Sequence, residues 1–405
     1  DDLLVGTPDL TDLHAHGYVL RLIGDGVTYW RTQLFAQSMH WEYRGAVHEY
    51  AYCPELPTPL PRIDGDYRID VRHLGDRNVR GDKYDRDTAL LRAELDADPD
   101  DSRTVFYLAQ TRLHDGDPQE AYDLYTRRTT MGGWNEEVFY AHMQRAVALR
   151  AMGEPWERQL DAYLDAWNAR PTRNEPLVEI ASHYRANGEW NLAYLFACRA
   201  HDIAFPDEDM LFVSHDSHRW KAADERSIAA FYVGRHHESF ELCNDLLAGD
   251  DLPLGERERV LANRDFAARV LLAEPPSSPT DVIARLTARA ANRPADDPAT
   301  VTLTITTCRR RDLFEQTVDS FLTTCTDADR IDRWLLIDDG STPEDLAAMR
   351  ARYPFFEVLE TDPAHRGHAN AMRRLQREVA SPYWLHLEDD WRFIVRDAYV
   401  GRALD

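Results

Sequence analysis

A chain of 405 residues with 43% hydrophobic side chains can bury ordinary cores, and its length predicts two or three domains. Acidic side chains outnumber Lys and Arg by 71 to 47, a formal net charge of -24, which speaks against non-specific nucleic-acid binding and against an anionic membrane surface. No apolar run reaches the length of a bilayer-spanning helix, and the acidic first residues lack the pattern of a signal peptide. Cys53, Cys198, Cys243, Cys308 and Cys325 are scattered without a Cys-x-x-Cys pair, so free thiols in a reduced, cytoplasmic setting are expected. With no initiator Met, and a stop soon after the acidic residues 388–390, the sequence reads as part of a longer polypeptide.

Residues 1–78 mix short apolar segments with turns. Tyr18–Ile23 and Val27–Leu34 flank Gly24-Asp25-Gly26 and predict a β-hairpin, and a proline-rich stretch follows at 54–61. This α+β segment shows no core of its own.

Residues 79–275 predict helix after helix. Gly116, Gly153, Gly188 and Gly234 each close one helical stretch and precede another. FYLAQTRLHDGDPQEAYDLY, FYAHMQRAVALRAMGEPWERQLDAYLDAW and PLVEIASHYRANGEWNLAYLFACRA vary one helix–turn–helix unit. The spacing resembles the roughly 34-residue period of tetratricopeptide repeats. Such pairs bury their apolar faces only by stacking on neighbours, which predicts a curved solenoid with room for a protein partner. The segment DMLFVSHDSHRW interrupts the pattern before the fourth unit, and residues 276–298, rich in proline, read as a linker carrying one short helix.

Residues 299–405 alternate strand and helix, as a mostly parallel α/β sheet requires. Three apolar strands run into polar loops. Val301–Thr306 leads into Thr307-Cys308-Arg309-Arg310-Arg311, Trp334–Ile337 into Asp338-Asp339-Gly340-Ser341, and Tyr383–Leu387 into Glu388-Asp389-Asp390. Asp312 is placed to cap the helix after the first strand, and Ser341-Thr342-Pro343-Glu344 reads as a capping box. Loops on one edge of such a sheet hold ligands. Carboxylates gathered there need a cation or a ligand donor to offset their repulsion.

Asp338 and Asp339 can accept an imide N–H or a ribose hydroxyl while Gly340 and Ser341 turn the backbone, although a plain strand-to-helix turn favours the same residues. Glu388 and Asp390, two apart in extended backbone, are expected to face one Mn2+ or Mg2+ while Asp389 points elsewhere. A solvated acidic turn is the alternative. Thr306, Thr307 and Arg309 are placed to touch a nucleotide base or phosphate, and Arg366, within His365–Asn370, a phosphate or ribose.

Taken in order, VTLTITTCRRRDLFEQTVDSFL, WLLIDDGSTPEDL, HRGHANAMRRL and YWLHLEDDW resemble the family 2 glycosyltransferases of the GT-A fold. Asp338-Asp339-Gly340-Ser341 matches that family outright. Thr306-Thr307-Cys308-Arg309 stands where it has Pro-Thr-Tyr-Asn, and Glu388-Asp389-Asp390 where it has Asp-x-Asp. The resemblance implies a GT-A, Rossmann-like nucleotide-binding portion at 299–405 and a nucleotide-sugar donor, foremost a UDP-sugar, with Asp389 among the donor contacts. It also implies Mn2+ or Mg2+ on Glu388 and Asp390, inverting transfer to a protein or glycan acceptor, and a catalytic base beyond this chain. Trp41–Tyr50 (WEYRGAVHEY) is similar to the late part of such a domain. That implies that 1–78 is the remnant of another GT-A domain, with His48 as a metal ligand; a partly buried structural histidine accounts for it as well. A tandem transferase is the simplest arrangement, and a single permuted domain the alternative. The competing reading is a tetratricopeptide-like interaction scaffold with inactive transferase remnants.

Overall fold

The computed structural model describes residues 2–24, 26–56, 59–72, 83–294, 298–362, 364 and 366–404. Asp25 and His365 of the motifs above lie outside the described residues. The chain divides into two compact units, Asp1–Leu261 and Ala262–Asp405. Among the described residues no helix is long and apolar enough to cross a membrane.

The first unit opens with strands β1 (Leu3–Pro8), β2 (Gly17–Gly24), β3 (Val27–Phe35), β4 (Glu42–Arg44), β5 (Tyr50–Tyr52) and β6 (Gly65–Asp70). β2 and β3 pair antiparallel as the expected hairpin, and β4 pairs with β5. Helices follow: α1 (Lys83–Ala97), α2 (Ser102–His114), α3 (Pro118–Thr130), α4 (Asn135–Ala151), α5 (Trp156–Ala169), α6 (Glu175–Ala186) and α7 (Trp190–His201). The insertion then supplies strand β7 (Val213–Ser214), before α8 (Ala222–Tyr232) and α9 (His236–Ala248). β7 pairs with β3 and completes a sheet of order β1-β6-β2-β3-β7. Residues 1–78 therefore do not stand apart from the helices. They carry a small core of Tyr18, Ile63 and Tyr67, and Val47 packs with Leu91, Phe106 and Tyr107 of the helical array.

Consecutive helices pack against each other along a tetratricopeptide-like array. Small side chains allow the close approach: Ala121, Ala141, Ala146, Ala148, Ala162, Ala193 and Ala200 are all buried between helices. The turns at Gly116, Gly153, Gly188 and Gly234 have φ of +88°, +72°, +73° and +81°, a region where a Cβ is strained. Asp117 caps α3 by accepting from the Glu120 amide at 3.0 Å, with Pro118 in the first turn. A buried ionic network ties the insertion to the array. Arg173 donates to Glu175 at 2.6 Å, to Asp209 at 3.3 Å and to the carbonyls of Leu211 and Phe212, and Glu136 accepts from the amides of Met210 and Leu211 at 2.7 Å.

The boundary between the units falls inside α10 (Leu254–Ala273). The second unit continues with α11 (Thr280–Asn292), β8 (Val301–Thr307), α12 (Arg311–Thr324), β9 (Arg333–Asp338), α13 (Pro343–Arg352), β10 (Phe356–Glu360), α14 (His368–Glu378), β11 (Tyr383–Glu388) and α15 (Tyr399–Leu404). Its sheet is all parallel in the order β10-β9-β8-β11. Every residue of β8 is buried, as a central strand covered on both faces requires. Leu286 of α11 packs into the core with Leu303, Ile305, Phe314 and Leu336, so 276–298 is more than a linker.

Two helix starts differ from expectation. α12 begins at Arg311, which leaves Asp312 in its first turn rather than at its cap. In α13 the cap is Thr342, whose Oγ1 accepts from the Asp345 amide at 3.1 Å, one residue beyond the Ser341 reading.

Candidate functional site

In the order β10-β9-β8-β11 the chain moves outward from β8 through β9 to β10, then returns to lay β11 on the other side of β8. The switch point lies between β8 and β11, and open α/β sheets bind ligands beyond the carboxyl ends of the strands there. Register sets the rim: Thr306 lies opposite Glu388, and Thr307 opposite Asp338.

Asp338 is only 2% exposed at the end of β9. Its Oδ2 accepts from the amides of Gly340 and Ser341 at 3.0 and 2.9 Å, which folds the turn, while its buried Oδ1 has no partner among the described residues. Asp339 accepts from the Gly367 amide at 2.7 Å, and its Oδ1 is also buried without a partner. Buried carboxylate oxygens without a partner among the described residues are costly in the absence of a donor from a ligand or water.

Gly340 has φ of +104°, and a Cβ there would lie 2.6 Å from Cζ of Arg366. Arg366 thus rests directly on this glycine. Arg309 is held from the other side, with its amide donating to Ser341 Oγ at 3.0 Å and its Nε to the Gly340 carbonyl at 3.0 Å. Arg309 has φ of +53°, a region that non-glycine residues rarely occupy and that clusters at binding sites.

Asp389 is fully buried, accepting from Thr307 Oγ1 at 2.7 Å and from Arg310 Nη2. Burial pushes its carboxyl above the ordinary aspartate range, against the pull of Thr307 and Arg310. Arg310, with 46% of its side chain exposed, also reaches Asp390 at 3.3 Å, and Glu388 lies 3.6 Å from His386 Nε2. Thr306 is buried at the end of β8. The three strand ends thus bring together Thr306, Thr307, Arg309, Asp338, Asp339, Gly340, Ser341, Arg366 and Asp389. Arg310 was visible only as part of an arginine run; its link to Asp389 and Asp390 depends on tertiary pairing.

The residues expected to hold Mn2+ or Mg2+ have these neighbours in the structure. Asp390 is engaged by a guanidinium, and Glu388 faces His386. His48 belongs to the first unit, where its ring stacks on Tyr107 at 4.4 Å and its carbonyl accepts from Arg103 at 3.2 Å. Among the described residues no three His, Cys, Asp or Glu side chains gather into a metal-holding group.

A second candidate surface lies on the repeat unit. A recess of about 460 Å³ is lined by Gly188, Glu189, Trp190, Asn191, Leu192, Tyr232 and Val233. Trp190 stacks on Tyr232 with ring centroids 3.7 Å apart and planes 9° apart. Tyr232 is 55% exposed and Leu195 61%, with Leu192 also exposed.

No protein-family model matches the chain, and no curated protein matches it. Among solved structures it is similar to MamA, at 16% identity over 49% of this chain and 99% of that one, with a TM-score of 0.33. It is similar to a thermophilic tetratricopeptide protein of Thermus thermophilus, at 18% identity over 45% of this chain and 90% of that one, with a TM-score of 0.31. A tetratricopeptide protein of Parabacteroides merdae shows 15% identity over 52% and 80% of the two chains, with a TM-score of 0.32. The repeat character of the first unit rests on its own helix pairs and glycine turns.

Proposed function

We propose that the repeat unit is a protein-interaction scaffold that takes a basic segment bearing an apolar anchor side chain. The observation that carries this reading is the recess between the Gly188 and Gly234 turns, with its stacked Trp190–Tyr232 pair and exposed Leu192. Aromatic anchors of this kind dominate binding energy at interfaces. The partner's charge follows from the unit's own: residues 1–261 hold 28 Lys and Arg against 47 Asp and Glu. Selection from a displayed peptide library tests it. Enriched peptides should place an apolar residue among Lys and Arg, and Tyr232→Ala should weaken them roughly tenfold or more. Enriched peptides indifferent to Tyr232→Ala and Leu192→Asp would remove the assignment.

A second reading is favoured by the sheet unit. We infer that its rim binds a nucleoside diphosphate, foremost the UDP of a nucleotide-sugar donor for inverting transfer to a protein or glycan acceptor. The partnerless Oδ1 atoms of Asp338 and Asp339 at the switch point support it, because a base N–H and ribose hydroxyls would supply the missing donors. Calorimetric titration with UDP, with Mn2+ or Mg2+ and without either, tests this reading. Heat of binding in wild type, with affinity weakened roughly tenfold in Asp339→Asn, is the expected result.

A further inference from the structure

Two guanidiniums lie at the turn that carries Asp338 and Asp339, and a third, in the loop after β8, pairs with the end of β11. Arg309 and Arg366 both lie against Gly340, which has no side chain to keep them off, and Arg310 stands in the same loop as Arg309. Arg310 is not a loosely solvated surface charge. Its Nη2 donates to Asp389, whose carboxylate is fully buried and fixed by Thr307 at 2.7 Å, and its Nη1 lies 3.3 Å from Asp390. The strained φ of Arg309, with its amide held by Ser341, fixes where the next residue begins.

We propose that Arg310 supplies the counter-charge for Asp389 and Asp390, so that this rim binds a nucleoside diphosphate through Arg309, Arg310 and Arg366 without a divalent cation. The proposal rests on the nucleotide reading of the sheet unit and departs from the cation-dependent version of it. A divalent ion placed on Asp390 would have to compete with the guanidinium already paired with its Oδ2, since two cations repel at that distance. A planar guanidinium matches phosphate oxygens in paired hydrogen bonds, and Arg310 is exposed enough to turn part of its fork outward while Asp389 keeps the other part. Meanwhile Asp338 Oδ1 and Asp339 Oδ1 accept from the N–H and O–H groups of the nucleoside.

Calorimetry on the whole chain with UDP as the probe, in EDTA and then in Mn2+, decides the matter. Wild type should bind with the same affinity in both, within about twofold. Arg310→Gln should lose roughly tenfold in EDTA and recover part of it in Mn2+, because the freed Asp389 and Asp390 can then hold the ion. Arg310→Lys, which keeps the charge but not the fork, should fall between the two. Wild-type binding that appears only with Mn2+ would overturn the proposal while leaving the nucleotide reading intact. Absence of UDP binding under both conditions would overturn the two together. Since wild type alone separates these outcomes, the test does not depend on the variants folding.

Discussion

In the repeat unit, Arg173 is enclosed by Glu175, Asp209 and two backbone carbonyls, with almost none of its side chain in solvent. At the sheet edge Arg310 holds buried Asp389 while nearly half of its own side chain stays exposed. Both are Arg–carboxylate contacts in the same chain. In the first, Arg173, Glu175 and Asp209 all find hydrogen-bond partners inside the protein. On the same sheet edge as Arg310, Asp338 and Asp339 each carry a buried carboxylate oxygen with no partner among the described residues. A charge cluster that is internally complete builds structure; one that leaves buried acceptors open is arranged for something that arrives.

The largest expected effect breaks the closed cluster. Glu175→Gln leaves Arg173 short of its nearest counter-charge in a buried setting, and the first unit should lose about 3–5 kcal/mol in a denaturant titration. UDP binding at the other unit should be unchanged. The network also sets a pH dependence. Burial works to raise the Glu175 carboxyl, but Arg173 and His218 outweigh it and draw it from an ordinary 4.5 down to about 2. A depressed carboxyl contributes stability that is present above its unfolded value and disappears as pH falls through the folded one. Wild-type melting temperature should therefore drop between pH 4.5 and about 2, and Glu175→Gln should flatten that part of the profile. A wild-type profile no steeper than the variant's would show that the cluster does not carry this stability.

The sheet edge should respond in the opposite way. Asp339→Asn keeps an acceptor for the Gly367 amide, so stability should change by no more than about 1 kcal/mol. UDP affinity should nevertheless fall roughly tenfold, since the open oxygen is replaced in one of its two orientations by a donor. Loss of stability without loss of binding would place Asp339 with Glu175 as a builder of structure.

This contrast also marks what the sequence made legible. The glycines at 116, 153, 188 and 234 announce helix turns because a left-handed φ is a local demand, and the strands of the second unit announce themselves because buried parallel strands are continuously apolar. Asp338 and Asp339 were legible for the same local reason, sitting where an apolar run meets a turn. The rest depends on pairings between distant segments. β7 is two residues long and has no periodicity to read, yet it binds the insertion to β3. Arg310 looked like one of three equivalent arginines until β11 came to lie beside β8 and brought Asp389 to it. His48 looked like a ligand by its neighbours in sequence, whereas its neighbour in space is the ring of Tyr107.

The smallest effects separate two adjacent hydroxyls that the capping pattern could not distinguish. Thr342 Oγ1 satisfies the Asp345 amide at the start of α13, so Thr342→Ala should cost about 0.5–2 kcal/mol and leave UDP affinity alone. Ser341 Oγ instead accepts from the Arg309 amide, outside the helix. Ser341→Ala should therefore cost less stability than its neighbour, while releasing Arg309 from its left-handed conformation and weakening UDP a few-fold. Equal loss of stability in the two variants, with binding intact, would mean that Ser341 serves the helix after all, and that Arg309 holds its strained geometry without help from this rim.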